Sequence, residues 1–155
     1  MIDKRILIID DEKDIRESIS GILNDEGYNS LTAKNSQEAL VKINDNKFDV
    51  IILDVWLNDS ELDGIGLLKE IKKIDSEIPV LIISGHGNIE IAVDAIKNGA
   101  YEFIEKPFSS ERLLLTIKRS IETSLFKIEN RSLKQKSIDD YEFIGDSNTI
   151  VKVKQ

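Results

Sequence analysis

Short apolar runs separated by stretches of helical spacing constrain the fold of this chain more than any other feature of its sequence. Four runs are rich in β-branched residues and almost continuously apolar, as is typical of strands covered on both faces; they span residues 6–9, 50–53, 80–83 and, more weakly, 101–104. Residues 28–33 supply a fifth candidate strand. Apolar residues recur with helical spacing between the runs. This alternation predicts an α/β fold with a doubly wound, five-stranded parallel sheet and right-handed helical crossovers.

Residues that begin or end helices support these boundaries. Asn35 followed by Glu38 predicts a helix cap, in which a short polar side chain accepts from a backbone N–H of the first turn. Gly27 and Gly99 lie where two helices should stop. Pro79 marks the start of a strand rather than its middle, because proline cannot donate a hydrogen bond inside a sheet.

The last predicted helix is longer than a helix needs to be to cover one sheet. It starts near Ser109 and keeps apolar residues as far as Ile128. From about Ile121 onward its outer half either extends into solvent or pairs with another helix, and a frayed polar tail is the plainer alternative. We predict a domain over residues 1–122 and an extended C-terminal linker helix over residues 123–140, followed by a segment that resumes an ordered-looking pattern.

Composition excludes several classes of function. A chain of 155 residues can bury one sizeable core. Its formal net charge of −8 argues against binding nucleic acid or an anionic membrane, because both need a basic surface. Cysteine is absent, which removes thiol chemistry and fits a reducing compartment. No apolar run approaches membrane-spanning length. We therefore predict a cytoplasmic protein without membrane contacts.

Polar residues stand at the ends of four of the predicted strands. These residues are Asp10, Asp11 and Glu12 after the first strand, Asp54, Ser84 and Lys106. Because parallel strands place their carboxyl ends at one edge of the sheet, we expect these side chains to converge there.

Convergence of Asp10, Asp11 and Asp54 creates a repulsion that something must neutralise. Carboxylates about 5 Å apart repel each other by about 3 kcal/mol per pair at an effective dielectric of about 20. Such repulsion would raise the pKa of Asp54 and leave it protonated, and therefore a poor nucleophile. Oxygen ligands in a site open to solvent suit Mg²⁺. We therefore predict a Mg²⁺ site, with Lys106 as a further positive charge for a phosphoryl oxygen.

With a phosphate held in this way, Asp54 can attack phosphorus and form an aspartyl phosphate, and Ser84 can donate its hydroxyl to the new group. Each residue alone has a simpler explanation. Asp10 and Asp11 suit the start of a helix, Ser84 is an ordinary loop hydroxyl, and Lys106 precedes a proline in a turn. Complementary chemistry at four strand ends together favours the phosphoacceptor site.

These residues resemble, in their order and spacing, the receiver domain of two-component response regulators. The resemblance covers about residues 3–122 and is carried by IIDDE, ILDV, DGIGLLKEI, VLIISGHG and GAYEFIEKPF. DVWLNDSELDG and ISGHGNIEIAVDAIKNGAYEFIEKPF are similar to the NtrX branch of the NtrC-like nitrogen regulators. The resemblance implies a flavodoxin-like receiver domain over residues 1–122. It also implies that residues 141–155, which contain FIGDSNTIVKVKQ, begin a truncated AAA+ sigma54-interaction domain.

The resemblance implies a role for each residue of the acidic site. Asp54 would be the phosphoacceptor, with Asp10 and Asp11 as the acid pair of the metal site. Asp11, Asp54 and the backbone carbonyl of Trp56 would be ligands of Mg²⁺. Lys106 would pair with the phosphoryl group.

The resemblance also implies a conformational switch. Movement of the Ser84 hydroxyl would let the Phe103 ring turn inward. The face made by the helix from Asn88, the last strand and the last helix would then change, and we predict a homodimer contact through it. A cis peptide bond between Lys106 and Pro107 is implied as well, since X–Pro bonds alone tolerate that geometry at low cost.

One loop departs from the family pattern. Most receivers have a shorter loop after the phosphoacceptor, with a proline in it, whereas this chain has Asn58 and its neighbours at that place. The resemblance therefore does not fix the conformation of residues 56–63, although no reactive group is lost.

The favoured hypothesis is a signalling domain rather than a turnover enzyme. It takes a phosphoryl group from a sensor histidine kinase and controls an attached sigma54-type ATPase and DNA-binding region. The chain lacks a GxxxxGK[ST] phosphate loop and a recognisable helix-turn-helix, so DNA contact is expected only through a further domain. Two alternatives stay open: a phosphorylation-independent dimerisation module, and a Mg²⁺-dependent phosphohydrolase. Trp56 disfavours the phosphohydrolase, because haloacid dehalogenase-type enzymes have an acid at that place.

Overall fold

A five-stranded parallel sheet with strand order β2-β1-β3-β4-β5 organises the chain. This computed structural model describes residues 4–58, 60–85 and 89–125. The strands are β1 (Arg5–Ile9), β2 (Asn29–Ala33), β3 (Val50–Asp54), β4 (Val80–Ser84) and β5 (Glu102–Glu105). The helices are α1 (Lys13–Asp25), α2 (Ser36–Asp45), α3 (Gly64–Ile74), α4 (Ile89–Lys97) and α5, whose described residues are 110–125. The predicted doubly wound α/β fold is confirmed.

The chain divides into two units, Met1–Ile121 and Glu122–Gln155. The sheet belongs to the first unit, and residues 122–125 of the second unit are helical. Most of the predicted linker helix over residues 123–140 and all of the segment over residues 141–155 lie outside the described residues.

The two faces of the sheet explain why its strands are apolar without alternation. In β1, Ile6 and Ile8 point to one side of the sheet while Leu7 and Ile9 point to the other, and all four are fully buried. The Leu7 side packs against residues of α2, α3 and α4, and the Ile6 side packs against α1 and α5. Burial on both faces removes the polar alternation of a half-solvated strand.

Helix ends follow the predicted signals. The Asn35 side chain accepts a hydrogen bond from the Glu38 backbone N–H at 2.9 Å, which confirms the predicted cap of α2. Gly27 and Gly99 have positive φ angles of 90° and 104° after α1 and α4, a backbone conformation that glycine adopts without steric cost. The sequence did not single out Asp63 as a cap, yet its carboxylate accepts from the Gly66 N–H at 2.7 Å and caps α3.

The start of α3 lies against the end of β3. A Cβ on Gly64 would come within 2.4 Å of the Val55 Cα and 2.5 Å of the Asp54 backbone oxygen. The Gly64 N–H also donates to the Val55 carbonyl at 3.1 Å. This close contact fixes the chain directly after β3, where Asp54 stands.

A cavity of about 420 Å³ lies near the amino end of β3. Five isoleucines and Phe48 line it, together with polar residues from the ends of α2 and α3. None of the acidic strand-end residues lines it, so it provides no substrate chamber for Asp54. No helix in residues 4–58, 60–85 and 89–125 is long and apolar enough to cross a membrane.

Candidate functional site

One lysine amine joins two carboxylates at the carboxyl edge of the sheet. Lys106 Nζ lies 3.1 Å from Asp10 Oδ2 and 3.6 Å from Asp54 Oδ2. The Asp10 residue is fully buried, Asp54 is 4% exposed, and the Lys106 side chain is 16% exposed. The predicted convergence of these three residues, which are up to 96 positions apart in the chain, is therefore present.

Local hydrogen bonds fix each of the two buried acids. Asp10 directly follows β1, and its Oδ1 accepts from the Glu12 backbone N–H at 2.9 Å. The Asp10 backbone carbonyl accepts from the Arg16 side chain at 2.8 Å. Asp54 is the last residue of β3, and its Oδ1 accepts from the Trp56 N–H at 3.2 Å. Both carboxylates are thus oriented before any ligand arrives.

Lys106 is positioned by its own backbone. It directly follows β5, and its N–H donates to the Ser84 carbonyl at 2.8 Å, which extends the β4–β5 pairing by one step. The peptide bond from Lys106 to Pro107 is cis, as the resemblance implied.

Burial and repulsion change how these groups titrate. Burial, followed by the charge of Asp10, raises the pKa of Asp54 to about 7, although Lys106 opposes the rise. Burial also raises the pKa of Asp10, partly offset by the Glu12 N–H and by Lys106. Burial alone would lower the pKa of Lys106, but attraction to Asp10 and Asp54 outweighs it and the pKa lies above its usual value. A single ammonium does not neutralise this site.

The acidic cluster supplies a set of oxygen donors that fits a hard divalent cation. Among the described residues, Asp10, Asp11 and Glu12 each offer one carboxylate oxygen, and these three atoms lie within 4.8 Å of one another. Asp54 is linked to the cluster through Lys106. Sequence reasoning placed Glu12 among the strand-end acids but gave it no ligand role. The ligand set of Asp11, Asp54 and the Trp56 carbonyl stays a prediction.

Asn58 contacts the acidic cluster, which sequence reasoning missed. Its side-chain amide donates to Asp11 Oδ2 at 2.8 Å, and its backbone N–H donates to the same oxygen at 3.2 Å. The sequence marked Asn58 as a departure from the family pattern but carried no signal for this contact, because 47 positions separate the two residues.

The predicted switch residues lie in the two neighbouring strands. Ser84 is fully buried as the last residue of β4 and pairs with Glu105 in register. Phe103 pairs with Ile82 and is half-buried against the core on the α2–α4 side of the sheet. Ser84 is joined to the charged site through the Lys106 N–H, whereas Phe103 lies two residues before the end of β5 and three before Lys106.

An apolar stripe is exposed on α4. Ile89, Val93 and Ile96 are 81%, 45% and 49% exposed, and their spacing of four and three residues places them on one helix face. Leu115 on α5 is also exposed. Asn88, the predicted start of this helix, lies outside the described residues. The stripe belongs to the face for which a homodimer contact was predicted.

Comparisons with known proteins agree with this geometry. The family profile of the response regulator receiver domain matches residues 6–118. Over 149 residues, the chain is 50% identical to an NtrX-like response regulator of Rickettsia bellii and 48% identical to the nitrogen assimilation regulatory protein NtrX of Azorhizobium caulinodans. These matches cover 96% of the chain but 31% and 33% of the relatives. The chain therefore spans about a third of the length of the curated relatives it matches.

Solved structures give the same result. The crystal structure of the NtrX receiver domain from Brucella abortus matches with a TM-score of 0.74 and 55% identity, covering 76% of this chain and 98% of that one. The solution structure of the beryllofluoride-activated NtrC4 receiver domain dimer matches with a TM-score of 0.73 and 50% identity, covering 77% and 98%. The chain thus belongs to the response regulator receiver domain family, and its close relatives are NtrX-like regulators.

Proposed function

We propose that this chain is a phosphoacceptor switch that takes a phosphoryl group from a sensor histidine kinase onto Asp54. The observation that carries the proposal is the placement of Lys106 Nζ between the buried carboxylates of Asp10 and Asp54. This arrangement provides a nucleophile with a cation beside it at an edge of the sheet. The site acts in signalling, and turnover of a free substrate is not part of its role.

Asp54 must be ionised to attack phosphorus, and its pKa of about 7 opposes ionisation in the isolated chain. Bound Mg²⁺ would lower this pKa and hold phosphoryl oxygens in position. Asp11, Asp54 and the Trp56 carbonyl are the proposed ligands, with Asp10 as the partner acid. These donors fit because the acidic cluster is all oxygen and carries more negative charge than Lys106 can balance.

The transfer forms a bond between an Asp54 carboxylate oxygen and phosphorus, and breaks the bond from phosphorus to the imidazole nitrogen of the kinase. The electron pair of that bond stays on the imidazole nitrogen. Lys106 exchanges its ion pair with Asp54 for one with a phosphoryl oxygen, and the Ser84 hydroxyl donates to another. Asp10 retains its contact with Lys106, which keeps the amine at the site.

The same contacts convert chemistry into a conformational signal. Movement of Ser84 toward the phosphoryl group frees space into which the half-buried Phe103 ring turns. A shift from mostly inactive to mostly active requires about 5 kcal/mol of differential interaction. Two charge-assisted hydrogen bonds, at about 1.5–3 kcal/mol each, supply this amount.

A second copy of this chain is the proposed occupant of the α4 face. Ile89, Val93 and Ile96 expose apolar side chains on α4, and Leu115 is exposed on α5. Arg112 of α5 forms a 3.0 Å ion pair with Glu102 of β5. The related NtrC4 receiver is a dimer when activated by beryllofluoride. Phosphorylation is therefore proposed to favour a homodimer through α4, β5 and α5.

The downstream role is proposed from the relatives. They are about three times as long as this chain and include a nitrogen assimilation regulator. In such a regulator, the receiver would control an attached sigma54-type ATPase and DNA-binding region in the cytoplasm. DNA contact would come from that region, because this chain is acidic.

Intact-mass spectrometry after incubation with acetyl phosphate and Mg²⁺ tests the proposal. The chain should gain one phosphoryl group, and Asp54→Asn should gain none. Asp49→Asn is the matched control, because Asp49 lies at the other end of β3, and it should be phosphorylated normally. A phosphoryl group on both Asp54→Asn and the unmodified chain would refute the assignment. No phosphorylation at all, with dimers present, would favour the phosphorylation-independent dimerisation module.

A further inference from the structure

The loop between β3 and α3 is tied to the acidic cluster at one end. Asn58 uses both of its donors, the side-chain amide and the backbone N–H, on Asp11 Oδ2. Neither contact involves Asp11 Oδ1. The Asp11 carboxylate is therefore held through one oxygen, while an oxygen of the same residue lies within 4.8 Å of those offered by Asp10 and Glu12.

The same loop is tied to the start of α2 at its other end. The Ser60 hydroxyl accepts from the Ser36 N–H at 2.8 Å and donates to the Leu62 carbonyl at 2.7 Å. The Leu62 N–H donates to the Ser36 hydroxyl at 3.1 Å, and the Glu61 N–H donates to the Gln37 side chain at 3.2 Å. Four hydrogen bonds thus fix residues 60–62, and Ser36 itself is 1% exposed.

We propose that Asn58 and residues 60–62, here called the strap, hold Asp11 in its metal-binding orientation. Asn58 is then a positioning residue for the cation. Ser60 affects the Asp11 carboxylate indirectly, because it holds the loop that carries Asn58. This inference rests on the proposed Mg²⁺ site and adds residues outside its ligand set.

The physical reason is the rotational freedom of Asp11. This residue is half-exposed, so burial does not fix its side chain as it fixes Asp10 and Asp54. Two N–H groups on one oxygen restrict the carboxylate to one orientation before the cation binds. Hydrogen-bond partners of metal ligands typically change metal affinity by about 10–100-fold. The strap transmits this restriction because its far end is anchored on a buried residue of α2.

Calorimetric titration of the 155-residue chain with Mg²⁺ alone, without a phosphoryl donor, tests the strap. Asn58→Ala should weaken binding by about tenfold. Asn58→Gln keeps the amide and should recover part of the loss. Ser60→Ala should weaken Mg²⁺ binding by about threefold, less than Asn58→Ala does, because Ser60 acts only through Asn58. Ser30→Ala is the matched control. The Ser30 hydroxyl forms a 2.8 Å hydrogen bond with the Ser20 hydroxyl, away from the β3–α3 loop, so this variant should bind Mg²⁺ normally.

Hydrogen exchange provides a second readout, because coupling between two sites is reciprocal. Mg²⁺ should slow exchange of the Ser36 N–H, which donates to Ser60, and this protection should be lost in Asn58→Ala. A thermal melt without Mg²⁺ confirms that each variant is folded.

The outcomes separate the strap from the function on which it rests. Unchanged or tighter Mg²⁺ binding by Asn58→Ala, while Asp11→Asn loses binding, would overturn the strap and leave the proposed metal site standing. Tighter binding would mean that Asn58 competes with the cation for Asp11. Absence of Mg²⁺ binding by the unmodified chain would overturn both.

Discussion

The two ends of the sheet differ in how deeply charged side chains are buried. At the amino end, the exposed residue Arg5 and the half-exposed residue Asp49 exchange hydrogen bonds: the Arg5 N–H donates to the Asp49 carboxylate at 2.9 Å, and the Asp49 N–H donates to the Arg5 carbonyl at 2.8 Å. At the carboxyl end, two buried acids, Asp10 and Asp54, share one lysine amine. The Asp49 carboxylate is partly solvated and accepts from a backbone N–H, whereas negative charge is buried in excess at the carboxyl end. Excess buried charge costs stability and is typical of a functional site.

The largest expected effect tests how tightly the chain is packed behind Asp54. Gly64→Ala places a methyl group within 2.4–2.6 Å of backbone atoms of residues 54 and 55, which cannot move without shifting β3. We expect a loss of about 3–5 kcal/mol in the free energy of unfolding by urea denaturation. Gly21→Ala is the control, because its Cβ meets nothing within 4 Å in the middle of α1. That variant should gain about 0.5–1 kcal/mol. Equal effects would show that the contact behind Asp54 is not rigid.

The next effect concerns the shared cation. Lys106→Ala leaves Asp10 and Asp54 without the amine that lies 3.1 Å and 3.6 Å from them. We expect a loss of about 2–4 kcal/mol at pH 7, because breaking a largely buried ion pair leaves charge uncompensated. Arg112→Ala removes a 3.0 Å ion pair with Glu102 whose side chains are 55% and 37% exposed. Its loss should be within about 1 kcal/mol. Similar losses from both variants would contradict the distinction between buried and solvated charge.

A change of opposite sign is expected when a buried acid itself is neutralised. Asp54→Asn removes repulsion and should raise the free energy of unfolding by about 1–3 kcal/mol at pH 8 without Mg²⁺, because a pKa shift is also a stability term. Asp49→Asn, at the amino end of the same strand, should stay within about 0.5 kcal/mol. Denaturant titrations of both variants measure the comparison. Destabilisation by Asp54→Asn would contradict an excess of buried negative charge at the carboxyl end of the sheet.

The pH dependence of stability follows from the raised pKa of Asp54. Between its ordinary value of 3.8 and about 7, the folded chain keeps a proton that the unfolded chain releases. Stability without Mg²⁺ should therefore fall as pH rises from about 4 to about 7. Asp10 and Lys106 titrate beside it, so the test is the difference between the unmodified chain and Asp54→Asn. An identical pH profile for both would contradict a raised pKa at this residue.

Much of the fold was predictable because a strand that is buried on both faces has a continuous apolar run, which can be recognised from the sequence alone. The runs that became β1, β3 and β4 are apolar without alternation, and the signals at Asn35, Gly27 and Gly99 act within a few residues. The convergence of Asp10, Asp54 and Lys106 followed from topology, since parallel strands end at one edge. The pKa of Asp54 rises as expected, although burial contributes more than the repulsion on which the prediction was based.

The contacts of the β3–α3 loop were not predictable. The pairs Asn58–Asp11 and Ser60–Ser36 are 47 and 24 positions apart, and neither has a periodicity or spacing that marks it. Asn58 and Ser60 are residue types that are common in loops. Their hydrogen-bond partners depend on the tertiary arrangement of α2 and β3. Asp63 is similar, because its role as the cap of α3 depends on where that helix begins.

The most direct test of the charged edge uses Trp56, the only tryptophan in the chain, two residues after Asp54 and 48% exposed. Its fluorescence should change on addition of Mg²⁺ and change again on addition of beryllofluoride, which stands in for the phosphoryl group. Asp54→Asn should abolish the second change. A chain that binds Mg²⁺ but gives no second change, or gives the same second change in Asp54→Asn, would contradict phosphoryl acceptance by Asp54.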